Sequence, residues 1–285
     1  MRLCRFGQGR LGVVGGQLVR DVTDALDSLP SCRYPFPCAD LLITNLDALI
    51  PRIADLARTA PSLAIDDVAL LSPVANPGKL IGAPVNYQKH YDEVRGSAAL
   101  HHDNQVATIQ RAGLFLKATS SLAGAGEGIA LRRLDRRSDH EVELACVIGT
   151  PASTISRAAA LEYVAGYCIG LDITIRGPEE RSLRKSVDSY SVLGPWLVTA
   201  DEIADPGHLG VRLAVNGTVR QESNTEDLIL GIPELIEYAS SFYTLLPGDV
   251  IFTGTPEGVG PIRPGDTITA WIERIGTMQV NVRAA

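Results

Sequence analysis

The chain has 285 residues, 45% of them hydrophobic and 21% charged, with 26 basic side chains against 33 acidic ones and a formal charge of −7. That length is enough to bury a large core, and the composition is ordinary for a globular protein. The acidic balance argues against a nucleic-acid or anionic-membrane surface, and no stretch approaches the roughly 18 apolar residues needed to span a bilayer.

Residues 1–72 read as a small N-terminal α+β domain and residues 73–285 as a larger, β-rich catalytic domain. Residues 1–6, 11–14 and 17–19 read as short strands joined by glycine turns. Gly7-x-Gly9-x-x-Gly12 matches a dinucleotide fingerprint in form, but Val13-Val14-Gly15-Gly16 continues as strand and turn where that fingerprint needs a helix N-terminus. Residues 31–39, with two prolines and two cysteines, read as a loop. Residues 47–58 carry Leu49, Ile50, Ile53 and Leu56 at the spacing of an amphipathic helix. Residues 1–7 lack the apolar core of a signal peptide. Five cysteines, an odd number without CxxC spacing, read as reduced thiols of a cytoplasmic protein.

From Ser72 onward strands predominate. Residues 88–95 read as a short helix on which His90 and Glu93, at i and i+3, face one side. A carboxylate bonded to one imidazole nitrogen fixes the tautomer and leaves the other nitrogen to take a proton, although the same spacing also fits an ordinary surface helix. Residues 87–105, polar and small with no apolar periodicity, are expected to close over a ligand as a lid.

Residues 139–149 alternate as a strand does, with Glu141, Glu143, Ala145 and Val147 on one face and Val142, Leu144, Cys146 and Ile148 on the other. At a rise of about 3.3 Å per residue, Glu141 and Glu143 lie about 6.6 Å apart and point the same way. Two unpaired carboxylates on a half-buried surface repel each other and resist desolvation, and a hard divalent cation removes both penalties. After a predicted helix at residues 156–163, the apolar strand at 164–172 ends on a third acid, Asp172. Alone, Asp172 fits a helix cap for the segment opened by Gly177-Pro178-Glu179-Glu180. With Glu141 and Glu143, it gives three carboxylates and no Cys or His cluster, a set suited to Mg²⁺ or Mn²⁺.

Taken locally, the mixed charge run at residues 179–185 fits a solvated helix face. Asn216-Gly217, between strands at 211–215 and 218–221, predicts a two-residue hairpin. Residues 233–243 read as a helix opened by Pro233, and residues 249–253, 267–274 and 279–283 as strands. The run Thr253 to Gly260 lacks the Gly-Lys-Ser/Thr ending of a phosphate loop. Its glycines let backbone approach a ligand, and its threonine hydroxyls can bind a carboxylate.

Seven motifs in order carry a resemblance: Asn86-Tyr87-x-x-His90-x-x-Glu93; Phe115-Leu116-Lys117; Glu141-x-Glu143; Asp172-x-x-x-Arg176; Lys185-Ser186-x-Asp188; Gly194-Pro195-Trp196; and Thr253-Gly254-Thr255-Pro256-x-Gly258-Val259-Gly260. Over about residues 79–285 the chain resembles the fumarylacetoacetate hydrolase family. The resemblance implies a twisted β-roll catalytic domain, a homodimer, and Mg²⁺ or Mn²⁺ held by Glu141, Glu143 and Asp172. It implies cleavage of a carbon–carbon bond in an acylpyruvate such as fumarylpyruvate, giving pyruvate and a carboxylic acid, in aromatic-compound catabolism. His90 and Glu93 are implied to activate the attacking water, and Lys185 and Arg176 to stabilise the pyruvate enolate. Lys117, Thr255 and Asp188 are implied to contact or support the 2-oxoacid substrate. The family also holds oxaloacetate-type decarboxylases and isomerases or hydratases of 2-hydroxydienoates, so those activities stay open. Many short members carry a glutamine three residues after the arginine; this chain has Glu179 there.

Overall fold

One twelve-stranded sheet organises the residues described by the computed structural model, 1–102 and 106–285. In chain order its main strands are β1 (Arg2–Phe6), β2 (Arg10–Gly15), β3 (Leu18–Asp21), β4 (Ser62–Ala64), β5 (Leu80–Gly82), β6 (Phe115–Lys117), β7 (Val142–Ile148), β8 (Val164–Asp172), β9 (Ser191–Thr199) and β10 (Val250–Phe252). Across the sheet they run β4-β3-β2-β1-β9-β8-β7-β10-β5-β6. The N-terminal strands therefore extend the sheet that carries the acids. β1 docks antiparallel on β9 through Arg2↔Val198 and Leu3↔Leu197, so the proposed boundary near residue 72 divides a shared sheet. The chain is α+β and β-rich, as expected.

Four helices matter below: α1 (Leu46–Thr59), α2 (Gln88–Arg95), α3 (Arg181–Lys185) and α4 (Ile232–Phe242). The fingerprint-like glycines are turn residues, with Gly7 and Gly9 at positive φ and β2 following them. Residues expected to form a helix before β8 instead make 3₁₀ turns over Arg157–Tyr163. The Asn216-Gly217 hairpin is present, with both residues at positive φ as its turn type demands, and it joins a separate five-stranded sheet. Among the described residues no helix is long and apolar enough to cross a membrane.

β7 lies between β8 and β10, and all seven of its residues are buried. The alternation read from the sequence separates two cores and does not leave one face half-exposed. Val142, Leu144, Cys146 and Ile148 belong to the main core; Ala145 and Val147 belong to a second one, which Leu46, Leu49 and Ile53 of α1 help to close. Packing on both faces fixes the register, because a one-residue slip would exchange the two sets of side chains. Leu144→Ala should therefore lower stability by about 2–5 kcal/mol. The check is chemical denaturation, with the midpoint falling at an unchanged slope.

Candidate active site

The site forms where β7 begins and β8 ends. Antiparallel pairing brings these two points together, and the Asp172 amide donates to the Glu141 carbonyl at 2.9 Å. Glu141, Glu143 and Asp172 are all buried, with ligand oxygens within 4.8 Å of one another. Burial and the charge of Asp172 push the proton affinity of Glu143 well above the ordinary carboxylate range. For Glu141 burial acts in the same direction, but Lys185 and then Arg176 outweigh it and hold its carboxyl below that range. A buried, anionic set of carboxylate oxygens fits Mg²⁺ or Mn²⁺.

Cations surround these acids. Lys185 Nζ donates to Glu141 Oε2 (2.6 Å), Asp172 Oδ2 (2.6 Å) and Thr174 Oγ1 (2.7 Å). Arg176 donates from Nε to Asp139 Oδ2 (2.7 Å) and from Nη2 to Glu141 Oε1 (2.9 Å). Both line one cavity together with the three acids. Lys117 is fully buried and stands behind Asp172, donating to its Oδ1 at 2.5 Å and to the Tyr190 carbonyl at 2.9 Å. It supports an acid and does not face the cavity. Burial, only partly offset by Asp172, draws its proton affinity below the usual lysine range.

Three expectations need correction or refinement here. The charge run at 179–185 is not a solvated face. Arg181, Arg184 and Lys185, at i, i+3 and i+4 on α3, line the cavity, and the last two are buried. That spacing was the available signal, and the buried acids opposite supply its cause. Asp188 is not brought to the site: it is 60% exposed and pairs with Arg132 at 2.5 Å, where the chain turns outward through Ser189 at positive φ. Glu179 bonds Arg136 at 2.7 and 2.8 Å and takes no part in the cavity wall.

On α2, His90 is 4% exposed and lines the cavity, so the surface-helix alternative does not hold. Its Nδ1 lies 2.9 Å from Glu93 Oε2. The other oxygen of Glu93 accepts the Gly258 amide at 3.1 Å. With Nδ1–H donated to Glu93, Nε2 is left as the basic nitrogen. The expected lid begins with α2; its Val94 and Leu100 pack on Val259, while residues 103–105 lie outside the described residues.

Thr255 lines the cavity, and a residue that sequence reasoning missed orients it. Gln221 Oε1 accepts the Val142 amide (3.2 Å) and lies 3.1 Å from His140 Nδ1, which fixes the amide so that Nε2 donates to Thr255 Oγ1 at 2.8 Å. The Thr255 hydroxyl proton is then left to donate elsewhere. The signal was slight: Gln221 is the one buried side chain of its hairpin strand. Next to Thr255, Gly254 adopts φ +101° and aims its amide at Glu143 Oε2 (2.6 Å); a Cβ there would meet Asn86 at 2.7 Å.

Residues 79–283 match the family model described as fumarylacetoacetate (FAA) hydrolase, C-terminal. The chain is 62% identical over 288 aligned residues to a maleylpyruvate hydrolase of Aquipseudomonas alcaligenes, with all of both chains covered. It is 33% identical over 305 residues to a 2,4-didehydro-3-deoxy-L-rhamnonate hydrolase of Sphingomonas sp. strain SKA58, covering 99% of this chain and 96% of that one. Among solved structures, a maleylpyruvate hydrolase from Sphingobium sp. SYK-6, in complex with manganese(II) and pyruvate, superposes with a TM-score of 0.85 at 38% identity over 100% of both chains.

Glu143→Ala should weaken Mn²⁺ binding by more than roughly 10²-fold, since loss of an outer-shell partner alone costs 10- to 100-fold. Calorimetric titration measures the binding, and an unchanged circular dichroism spectrum separates this loss from unfolding.

Proposed function

This chain belongs to the fumarylacetoacetate hydrolase family, and on that premise we propose that it is a metal-dependent hydrolase that cleaves an acylpyruvate into pyruvate and a carboxylic acid. The observation that carries the reading is His90, held by Glu93 in the wall of the same cavity as the three carboxylates. A positioned base is what hydrolysis requires and decarboxylation does not.

Glu141, Glu143 and Asp172 would hold Mg²⁺ or Mn²⁺, which would supply Lewis acidity and an anchor for the 2-oxo-carboxylate end of the substrate. His90 Nε2 takes a proton from water, and Glu93 stabilises the imidazolium that results. The water oxygen adds to the acyl carbonyl carbon, and the bond from that carbon to the pyruvyl methylene breaks. The electron pair leaves with pyruvate as an enolate, whose methylene carbon is then protonated. Lys185 and Arg176 place fixed positive charge where the enolate oxygen becomes negative, so they favour the transition state over the ground state. The Thr255 hydroxyl, its oxygen engaged by Gln221, is free to donate to a substrate carboxylate. The same reading takes the chain as a cytoplasmic homodimer; its five cysteines are free thiols, in accord with a reducing compartment.

Incubated with an acylpyruvate, the protein should release pyruvate and the matching acid in equal amounts, with one oxygen from isotopically labelled water in the acid. Chelator should abolish turnover, and added Mg²⁺ or Mn²⁺ should restore it. His90→Ala should cut kcat by roughly 10²- to 10⁴-fold with little change in KM. Carbon dioxide from oxaloacetate as the fastest reaction, with acylpyruvates left intact, would overturn the reading.

A further inference from the structure

The cations lining the cavity differ in what holds them. Arg176 is paired with Asp139 and Glu141, and Lys185 with Glu141 and Asp172. Arg184 donates to two neutral acceptors, the carbonyls of Glu179 (2.8 Å) and Ile175 (3.2 Å). Arg181 makes no hydrogen bond or ion pair among the described residues. Its guanidinium rests on Phe115, with the central carbon 5.6 Å from the ring centroid. The same ring carries Lys185 Nζ at 5.4 Å, so one aromatic side chain supports a cation committed to the acids and a second that is not.

An arginine held partly out of water without a carboxylate is disfavoured. Burial lowers the proton affinity of Arg181 and of Arg184, and Arg184 also feels the charges of Arg176 and Arg181. None of the triad's carboxylates bonds Arg181: Glu141 and Asp172 accept from Lys117, Lys185 and Arg176, and Glu143 accepts the Gly254 amide. Two positive charges without a carboxylate of their own, in a cavity wall, make a site for an anion that the protein does not provide. A guanidinium suits a carboxylate best, because its fork can donate two parallel hydrogen bonds. Arg181 and Lys185 sit one helical turn apart, about 5–6 Å between Cβ atoms, so this second anion is separate from the one held beside the triad.

We propose that Arg181 is a specificity residue that pairs with a second carboxylate, at the acyl end of the substrate, so that the chain prefers acylpyruvates whose acyl group itself ends in a carboxylate. This rests on the acylpyruvate reading. Phe115 fixes the direction of the guanidinium, and Arg184 adds a charge held in place by backbone carbonyls.

The test compares kcat/KM for fumarylpyruvate, which carries the second carboxylate, with acetylpyruvate, which lacks it. Wild type should favour fumarylpyruvate. Arg181→Met keeps bulk against Phe115 without the charge; it should lose activity on fumarylpyruvate on the order of 10²-fold, mainly through KM, and keep its activity on acetylpyruvate. Arg181→Lys should retain part of the preference, as a point charge without the fork. Equal loss on both substrates in Arg181→Met, or no preference in wild type while both substrates yield pyruvate, overturns the assignment and leaves the hydrolase reading standing. Release of pyruvate from neither substrate removes that reading and the assignment together.

Discussion

Three buried carboxylates with ligand oxygens within 4.8 Å of one another set the terms for the rest of the molecule. The effective penalty for burying one unpaired ion is several kcal/mol, and a folded domain of this kind has a net stability of only about 5–15 kcal/mol. Bare acids in this position would consume most or all of that margin. Compensation is therefore a condition of the fold as well as of chemistry. It comes from three places in the chain: Lys117 at the end of β6, Arg176 just after β8, and Lys185 at the end of α3. The same charges that allow the acids to be buried are those available to a substrate whose reaction develops negative charge.

The acids hold their positions because the strands beneath them have no freedom to slide. β7 is packed on both faces, and its pairing with β8 sets Glu143 opposite Gly170 and brings Asp172 to Glu141. Groups placed by a central sheet keep their separation better than groups placed by loops. The base, by contrast, is carried on a short helix: His90 rides on α2 and is tied in place by Glu93. The molecule thus separates a rigid electrostatic floor from a base carried on a smaller, less deeply anchored element.

Much of this was legible in the chain, and the failures share a physical form. Period-two alternation around Glu141 and Glu143 is a local property, so it was read correctly, as were the Asn216-Gly217 hairpin and the helix at α4. Local charge pattern alone gives the α3 run as a solvated face, because exposure is decided by what lies opposite, and the acids opposite come from strands outside the run. Gln221 was invisible for the same reason. Its role depends on Val142 and Thr255, from two other segments. Asp188 shows the converse. A motif placed it beside Lys185, but the turn through Ser189 carries it to the surface, and adjacency in sequence does not survive a left-handed residue. The continuity of the sheet through β1 and β9 joins residues nearly 200 apart in number, which no local pattern encodes.

The bond from the Gly258 amide to Glu93 joins positions 165 residues apart. It has a bearing on synthesis. A ribosome that has delivered α2, β7 and β8 has released His90 and all three acids, yet the amide that holds the second oxygen of Glu93 is still unmade. Nor has the Gly254 amide reached Glu143. Contacts of such high sequence separation form late, after the loop entropy of the intervening chain has been overcome. Nascent chains and fragments that stop before Gly258, however well their central strands pair, lack the bond that holds the second oxygen of Glu93 behind His90.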